Sequence, residues 1–270
     1  RNAYVLSMDA AIGDLPRGDV HVRGGVIVAV GADLAAPGAE VLDGRNMIVM
    51  PGFVDTHWHL WTSSLRALVR NDDAARLGYF PMTERLGPFF TPEDIHRAVR
   101  LGVAQALHSG VTTLHDWSHN MRSPAHADAS LRALDGAGIR ARFSYGYSGL
   151  LKPGDIMNLA DLARVQREWM APKRGGLLSL GMASRSIADD PVALRTMHRE
   201  WEGTRNLGLP ITLHVGPPGA VTLLEREKLL GPDLLLVHPT LLTSSELKIL
   251  AERRVKFSAW TNANQSWGST

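Results

Sequence analysis

Cysteine is absent from the 270 residues of this protein. Disulfide bonds, thiol catalysis and cysteine-based zinc knuckles are therefore excluded. The chain also lacks any apolar run near the ~18 residues that a membrane span requires. Its formal net charge is only +2, and no cluster of Lys or Arg indicates nucleic acid or an anionic membrane as a partner. We expect a cytoplasmic protein that acts on a small-molecule substrate, and we leave the formation of a homo-oligomer open.

Residues 1–50 contain four short strand patterns. Gly24-Gly25 separates two of them and predicts a hairpin, because glycine adopts positive φ at little cost. After Pro51, strand patterns alternate with helix patterns, which indicates βα units and a mainly parallel sheet. Seven such strands are predicted, one fewer than a closed (β/α)₈ barrel contains. We expect an α/β fold with a TIM-type barrel over residues 51–270 whose eighth strand is missing from the chain.

Two helix starts are written clearly in the sequence. Thr91-Pro92-Glu93-Asp94 has an N-cap threonine, a proline at the first helical position and carboxylates in the first turn. Thr243 and Glu246 have the spacing of a capping box, in which two exposed backbone donors are satisfied. These signals predict the residues at which two of the helices begin.

The stretch His57-Trp58-His59 carries the main chemical signal. Side chains alternate along a strand, so both imidazoles project to one face and can bind one metal ion. Asp55 shares that face one step deeper and can form hydrogen bonds to the site. An isolated His-x-His is about as often a solvated strand end. Here His214 and His238 also stand at the ends of predicted strands, and that rim is where barrel enzymes place their sites.

The chain resembles the amidohydrolase superfamily, in particular its cytosine deaminase and chlorohydrolase-like branch. The resemblance rests on four stretches in this order: Pro51–His59, Gly110–Asp116, Leu213-His214-Val215 and Val237-His238. It implies that His57, His59 and His214 are metal ligands, and that His238 is catalytic and contacts the activated water or the substrate. It also implies that residues 1–50 form the N-terminal part of a small β-sandwich domain.

Three side chains that members of the superfamily use in their sites are absent from this sequence. Their absence limits the reactions that the resemblance implies. The family's Asp ligand on the eighth strand lies beyond Thr270, so the barrel is expected to be incomplete at its C-terminus. Deaminases of this branch usually carry a Glu three residues after the ligand of the fifth strand, where this chain has Pro217. Proline cannot transfer a proton, which weakens the deaminase interpretation. The fourth barrel strand contains no Lys to bridge two ions, so a single ion is favoured.

Three further residues are candidates for substrate binding. His119 follows the second barrel strand and can reach the rim, although a loop histidine that caps the backbone fits equally well. Arg185 follows the fourth strand and can bind an anionic or carbonyl group, although an ion-paired arginine is the commoner case. Trp260 follows the seventh strand and is the tryptophan that we expect near a planar substrate.

We expect a metal-dependent hydrolase that acts, through a metal-activated water, on C–N bonds of a small cyclic amide, an amidine or an aminated heterocycle. The expected cofactor is one divalent metal ion, and Zn²⁺ is preferred over Fe²⁺ although three imidazoles and a carboxylate suit both. Hydrolytic displacement of halide or thiolate is the alternative chemistry. A non-catalytic metal-binding or scaffold relative is the alternative of another class.

Overall fold

The computed structural model describes residues 1–70, 72–149, 151–152, 154–170, 176–216 and 218–259. The chain forms two compact units, the first over Arg1–Phe53 and the second from Val54 onward. No helix in these described ranges combines the length and the apolar character needed to cross a membrane.

The first unit is built around a four-stranded sheet. Its strands are β1 (Ala3–Leu6), β2 (Asp14–Arg23), β3 (Val26–Gly31) and β4 (Ile48–Val49), in the spatial order β3-β2-β1-β4. The predicted hairpin joins β2 and β3, which pair antiparallel. Gly24 and Gly25 at its turn have φ of 57° and 78°, so both need the freedom of glycine.

The second unit contains a seven-stranded sheet in the order β11-β10-β9-β8-β7-β6-β5. Its strands are β5 (Phe53–Trp58), β6 (Val111–Ser118), β7 (Arg140–Gly146), β8 (Leu178–Ser184), β9 (Ile211–His214), β10 (Leu234–Val237) and β11 (Lys256–Ser258). Strands β6 to β11 pair parallel in succession. The predicted seven strands are therefore present among the described residues.

Helices separate these strands along the chain. They are α1 (Ala74–Leu77), α2 (Tyr79–Leu86), α3 (Pro92–His108), α4 (Pro124–Ala137), α5 (Leu159–Trp169), α6 (Pro191–Asn206), α7 (Ala220–Arg226) and α8 (Ser244–Glu252). Leucine and phenylalanine side chains of the central strands are at most 5% exposed and form the core between sheet and helices: Leu114, Phe143, Leu180, Leu213 and Leu236. The predicted α/β class is confirmed.

Both predicted helix starts are confirmed. Thr91 accepts a hydrogen bond from the backbone of Asp94, and the Asp94 carboxylate accepts one from the backbone of Thr91. Thr243 and Glu246 form the same reciprocal pair at the start of α8. The predictions missed the segment before α3, where 3₁₀ helices at Leu60–Leu65 and Gly87–Phe89 flank α1 and α2. These elements are too short for a hydrophobic period to become visible.

The sheet curves so strongly that its first and last strands approach each other. Thr56 Oγ1 on β5 lies 2.7 Å from Ser258 Oγ on β11, across 202 residues of sequence. The sheet is therefore a nearly closed barrel. Because all parallel strands point the same way, their C-terminal ends form one rim.

Candidate functional site

Three imidazole rings converge at the rim, at the ends of β5 and β9. His57 Nε2 lies 3.2 Å from His59 Nε2 and 3.1 Å from His214 Nε2. Nitrogens bound tetrahedrally to one zinc ion at 2.0–2.1 Å stand roughly 3.3 Å apart. The three nitrogens, which all lie within 4.8 Å of one another, therefore have a spacing that fits a single small divalent ion. We call these three residues the histidine cluster.

The local geometry follows from the strands that carry these residues. His57 and His59 are two positions apart at the end of β5, so the alternation of the strand turns both rings to one side. His214 is the last residue of β9 and pairs in register with Val237 of β10. Asp55 Oδ1 accepts a hydrogen bond from the backbone N–H of His57 at 3.0 Å, and this contact stiffens the strand end.

The protonation state of the cluster suits metal binding. Burial, reinforced by repulsion from the neighbouring imidazoles, lowers the pKa of His214 to about 3. The same two causes hold the pKa of His57 far below its ordinary value. Burial, followed by repulsion from His119, lowers the pKa of His59 strongly as well. All three rings are therefore neutral near pH 7, and neutral imidazole is the form that binds a metal ion.

One backbone carbonyl orients His59. His59 Nδ1 lies 2.9 Å from the carbonyl oxygen of Trp117, which can only accept a hydrogen bond. Nδ1 must therefore carry the proton, and the lone pair of Nε2 faces His57. This arrangement, in which a backbone acceptor fixes the tautomer of a ligand, is typical of histidines that bind metals.

His238 stands directly after β10 with a backbone φ of 54°. Non-glycine residues are uncommon in this left-handed region, and such positions concentrate at functional sites. Its ring centroid lies 5.1 Å from that of His57 and 5.7 Å from that of His214. His238 therefore faces the histidine cluster and not the helical layer.

Trp117 is one residue at the site that the sequence interpretation missed. Strand β6 extends to Ser118, because its pairing with β7 continues to Tyr145, so Trp117 lies in the strand and not after it. The Trp117 side chain is 3% exposed. Its ring centroid lies 4.4 Å from that of His214 and 5.1 Å from that of His59. The alternation of β6 was the available signal, since it turns Trp117 toward the barrel interior.

His119 lies beside the cluster, whereas Arg185 is held in an ion pair and lies over the ring of Tyr147. The ring centroids of His119 and His59 are 4.6 Å apart. Arg185 Nη2 lies 2.7 Å from Glu200 Oε1 and donates to the carbonyl of Asp155, also at 2.7 Å. Arg185 thus has the ion-paired arrangement that the sequence left open, since Glu200 is 1% exposed and a buried carboxylate requires a charged partner.

Two positions singled out in the sequence, Pro217 and Trp260, lie outside the described residues.

A cavity of about 600 Å³ lies between the end of β7 and the start of α5. It is lined by the segments that follow β6 and β7 and by the start of α5, including Met121, Tyr147, Ser148, Met157 and Asn158. Gly146, which also lines it, packs so closely that a Cβ there would stand 2.8 Å from the Cα of His119. The cavity has the volume of a small-ligand pocket and a mixed apolar and polar wall.

Asp116 supports the segment that follows His59 and makes the stability of the protein depend on pH. Its carboxyl is fully buried and accepts the backbone N–H of Leu60 at 3.1 Å. Burial raises the pKa of Asp116 from 3.8 to about 7. Between these values the folded protein holds a proton that the unfolded chain has released, so the free energy of unfolding falls as pH rises through this window.

We expect Asp116→Asn to remove this slope, because the amide resembles the neutral carboxyl. The difference in unfolding free energy between the variant and the wild type should shift in favour of the variant by roughly 3 kcal/mol between about pH 5 and about pH 8. Urea denaturation at both pH values, with equal metal loading, measures it. A difference that stays constant with pH would contradict the raised pKa.

The chain is similar to known hydrolases in sequence and in fold. A sequence profile of the amidohydrolase family matches residues 48–186. A 5′-deoxyadenosine deaminase of Methanosarcina mazei is 26% identical over 96% of this chain and 61% of its own length. A 5-methylthioadenosine/S-adenosylhomocysteine deaminase of Nitratidesulfovibrio vulgaris is 28% identical over 99% of this chain and 62% of its own. The chain thus spans about three fifths of these relatives.

Solved structures share the fold. An atrazine chlorohydrolase from Arthrobacter aurescens TC1, complexed with zinc, has a TM-score of 0.82 at 20% identity, covering 99% of this chain and 66% of its own. An adenosine deaminase from Xanthomonas campestris, with bound zinc, has a TM-score of 0.73 at 20% identity, covering 99% of this chain and 63% of its own.

Proposed function

The chain belongs to the amidohydrolase family, and we propose that its histidine cluster binds one divalent metal ion and supports hydrolysis of a C–N bond in a small aminated heterocycle or cyclic amide. The observation that carries this proposal is the convergence of three neutral imidazoles on the rim, where the Nε2 atoms of His59 and His214 lie 3.2 and 3.1 Å from that of His57. Zinc is the proposed ion, because three imidazoles suit it well.

The ion would polarise the substrate and lower the pKa of a water molecule from 15.7 to roughly 7. The protein supplies the orientation of the groups around it. Trp117 holds the tautomer of His59 through its carbonyl and covers the cluster with its ring. The carbonyl keeps the Nε2 atom of His59 aimed at the other two nitrogens, and the ring limits the access of bulk water to the cluster.

His238 is the proposed carrier of the proton from the attacking water. It faces the cluster, and the position that holds a carboxylate in deaminases of this branch is Pro217 here. Burial lowers the pKa of His238 below its ordinary value, so the ring is neutral near pH 7 and can accept a proton. A base near the water and an acid near the leaving group are both required for hydrolysis at a trigonal carbon.

Amine is the proposed leaving group. The sequence relatives at 26–28% identity are deaminases of adenosine derivatives. We propose that the part of the substrate that lies away from the attacked carbon extends toward the cavity between β7 and α5. A location in the cytoplasm and the absence of a nucleic-acid partner stay predictions of the sequence.

Metal analysis and ammonia release test the proposal. We expect the purified protein to contain about one zinc ion per chain and to release ammonia from some members of a panel of aminated heterocycles. Members with a bulky neutral substituent should show higher kcat/KM than their unsubstituted parents, because the cavity adds binding energy. A purified protein without tightly bound metal would refute the metal-dependent function. So would an activity that a chelator leaves unchanged.

A further inference from the structure

A tryptophan holds the ring of His119 at the edge of the site. Trp61 Nε1 lies 3.2 Å from His119 Nδ1, and the two rings meet edge to face with centroids 5.0 Å apart. An indole N–H can only donate a hydrogen bond, so His119 Nδ1 must accept it. A neutral imidazole that accepts at Nδ1 carries its proton on Nε2. The contact therefore selects one tautomer of His119.

A second group near the His119 ring is the carbonyl of Trp117. It stands close enough to the ring to act on it as an acceptor. That carbonyl already accepts from His59 Nδ1 at 2.9 Å and from the backbone N–H of His119 at 3.1 Å. Its lone pairs are thus engaged, whereas Trp61 has one donor and His119 Nδ1 as its acceptor. The hydrogen bond from Trp61 therefore determines the tautomer of His119.

Packing holds the Trp61 ring in place, and a hydrogen bond fixes the backbone next to His119. Trp61 is 1% exposed and packs edge to face against Phe90, with centroids 5.3 Å apart. Asn120, directly after His119, has a left-handed φ of 72°, and its side chain donates to the carbonyl of Gly87 at 3.0 Å. Several contacts therefore fix the orientation of this pair of side chains. Such fixed orientations are typical of functional sites, where one atom has to point in one direction.

We propose that Trp61 is a positioning residue that holds His119 as a hydrogen-bond donor at Nε2 beside the histidine cluster. The site then selects substrates that carry an acceptor, a ring nitrogen or a carbonyl oxygen, next to the attacked carbon. A buried donor left without an acceptor is costly, which is why such a site rejects analogues that lack the acceptor. The tautomer stands on geometry alone, whereas the selection of substrates rests on the proposed hydrolytic function.

Nitrogen NMR of the purified protein tests the tautomer without any substrate. With ¹⁵N-labelled histidine, protonated and unprotonated ring nitrogens give separate signals, and His119→Gln identifies those of His119. We expect a protonated Nε2 and an unprotonated, hydrogen-bonded Nδ1. A protonated Nδ1 in the wild-type protein would overturn the proposal, whatever the variants show.

Trp61→Phe keeps the ring and removes the donor. We expect the His119 signals to move toward a mixture of tautomers in this variant. Trp201→Phe is the matched control, since Trp201 is equally buried and its Nε1 donates to Ser184 Oγ at 2.8 Å. The control should leave the His119 signals unchanged. Unchanged His119 signals in a folded Trp61→Phe protein would show that Trp61 does not set the tautomer. If this variant fails to fold, the wild-type spectrum alone tests the proposal.

A pair of substrates tests the selection. One is a heteroaromatic amine with a ring nitrogen beside the amine-bearing carbon, and the other has C–H in its place. We expect Trp61→Phe to lose about three- to tenfold of the wild-type preference in kcat/KM, the worth of one neutral hydrogen bond. Comparing the two proteins cancels the intrinsic reactivities of the substrates. An unchanged preference would overturn the selection. If no member of the amine panel is hydrolysed while His119 carries its proton on Nε2, the hydrolytic function fails and the role of Trp61 stands.

Discussion

Replacing His214 by alanine is expected to release the metal ion and lower kcat by more than about 10⁴-fold, because without the ion the pKa of the attacking water returns from roughly 7 to 15.7. His214 is the informative choice among the three proposed ligands. It comes from β9, whereas His57 lies in β5 and His59 directly follows that strand, so its loss leaves two imidazoles on one side of the ion. Two nitrogens hold a divalent ion far more weakly than three.

Metal content, turnover and thermal unfolding on one preparation decide this prediction. Added zinc should raise the Tm of the wild-type protein and not that of His214→Ala, because only a ligand that binds the folded state stabilises it. His198→Asn is the control, since His198 has a side chain 43% exposed on α6 and contacts Glu227 at 3.1 Å. Full metal content together with wild-type turnover in His214→Ala would remove the histidine cluster from the function.

Replacing His238 by asparagine is expected to leave the metal in place and lower kcat by about 10²–10⁴-fold, the usual worth of a general base. Asparagine is the suitable replacement because it tolerates the left-handed backbone that His238 adopts, with φ of 54°. Alanine would add backbone strain to the loss of the ring and confuse the two effects.

The same two measurements, metal content and kcat, separate the roles of His238. Loss of metal in His238→Asn would make it a ligand and not a proton carrier. Unchanged kcat with full metal would remove it from the mechanism, and His119 would become the next candidate. A fall in kcat with KM nearly constant would agree with an interaction made only in the transition state.

The sequence predicted the framework of the barrel because its signals are local. Three of these signals depend only on neighbouring residues: the capping pairs at Thr91 and Thr243 and the hairpin at Gly24-Gly25. All three are confirmed. The helices between Leu60 and Phe89 were missed, because they are short and Gly78 separates α1 from α2.

The candidate site was partly predictable for the same reason. A period-2 strand turns His57 and His59 to one side, and parallel strands end at one rim, so His214 and His238 were expected nearby. The surroundings of these residues were not predictable. Nothing close to Trp117 in the sequence indicates that its carbonyl orients His59, 58 residues earlier in the chain.

By itself, the sequence determined the βα alternation, the absence of cysteine from these 270 residues and the strand-end positions of four histidines. Only the tertiary structure decided that His57 and His214, 157 residues apart, bring their Nε2 atoms to 3.1 Å. It also decided that Arg185 pairs with Glu200 and that Trp61 donates to His119. Strand and helix periods are set by neighbouring residues, whereas tautomers, ion pairs and ring contacts depend on side chains that meet only when the sheet has curved into a barrel.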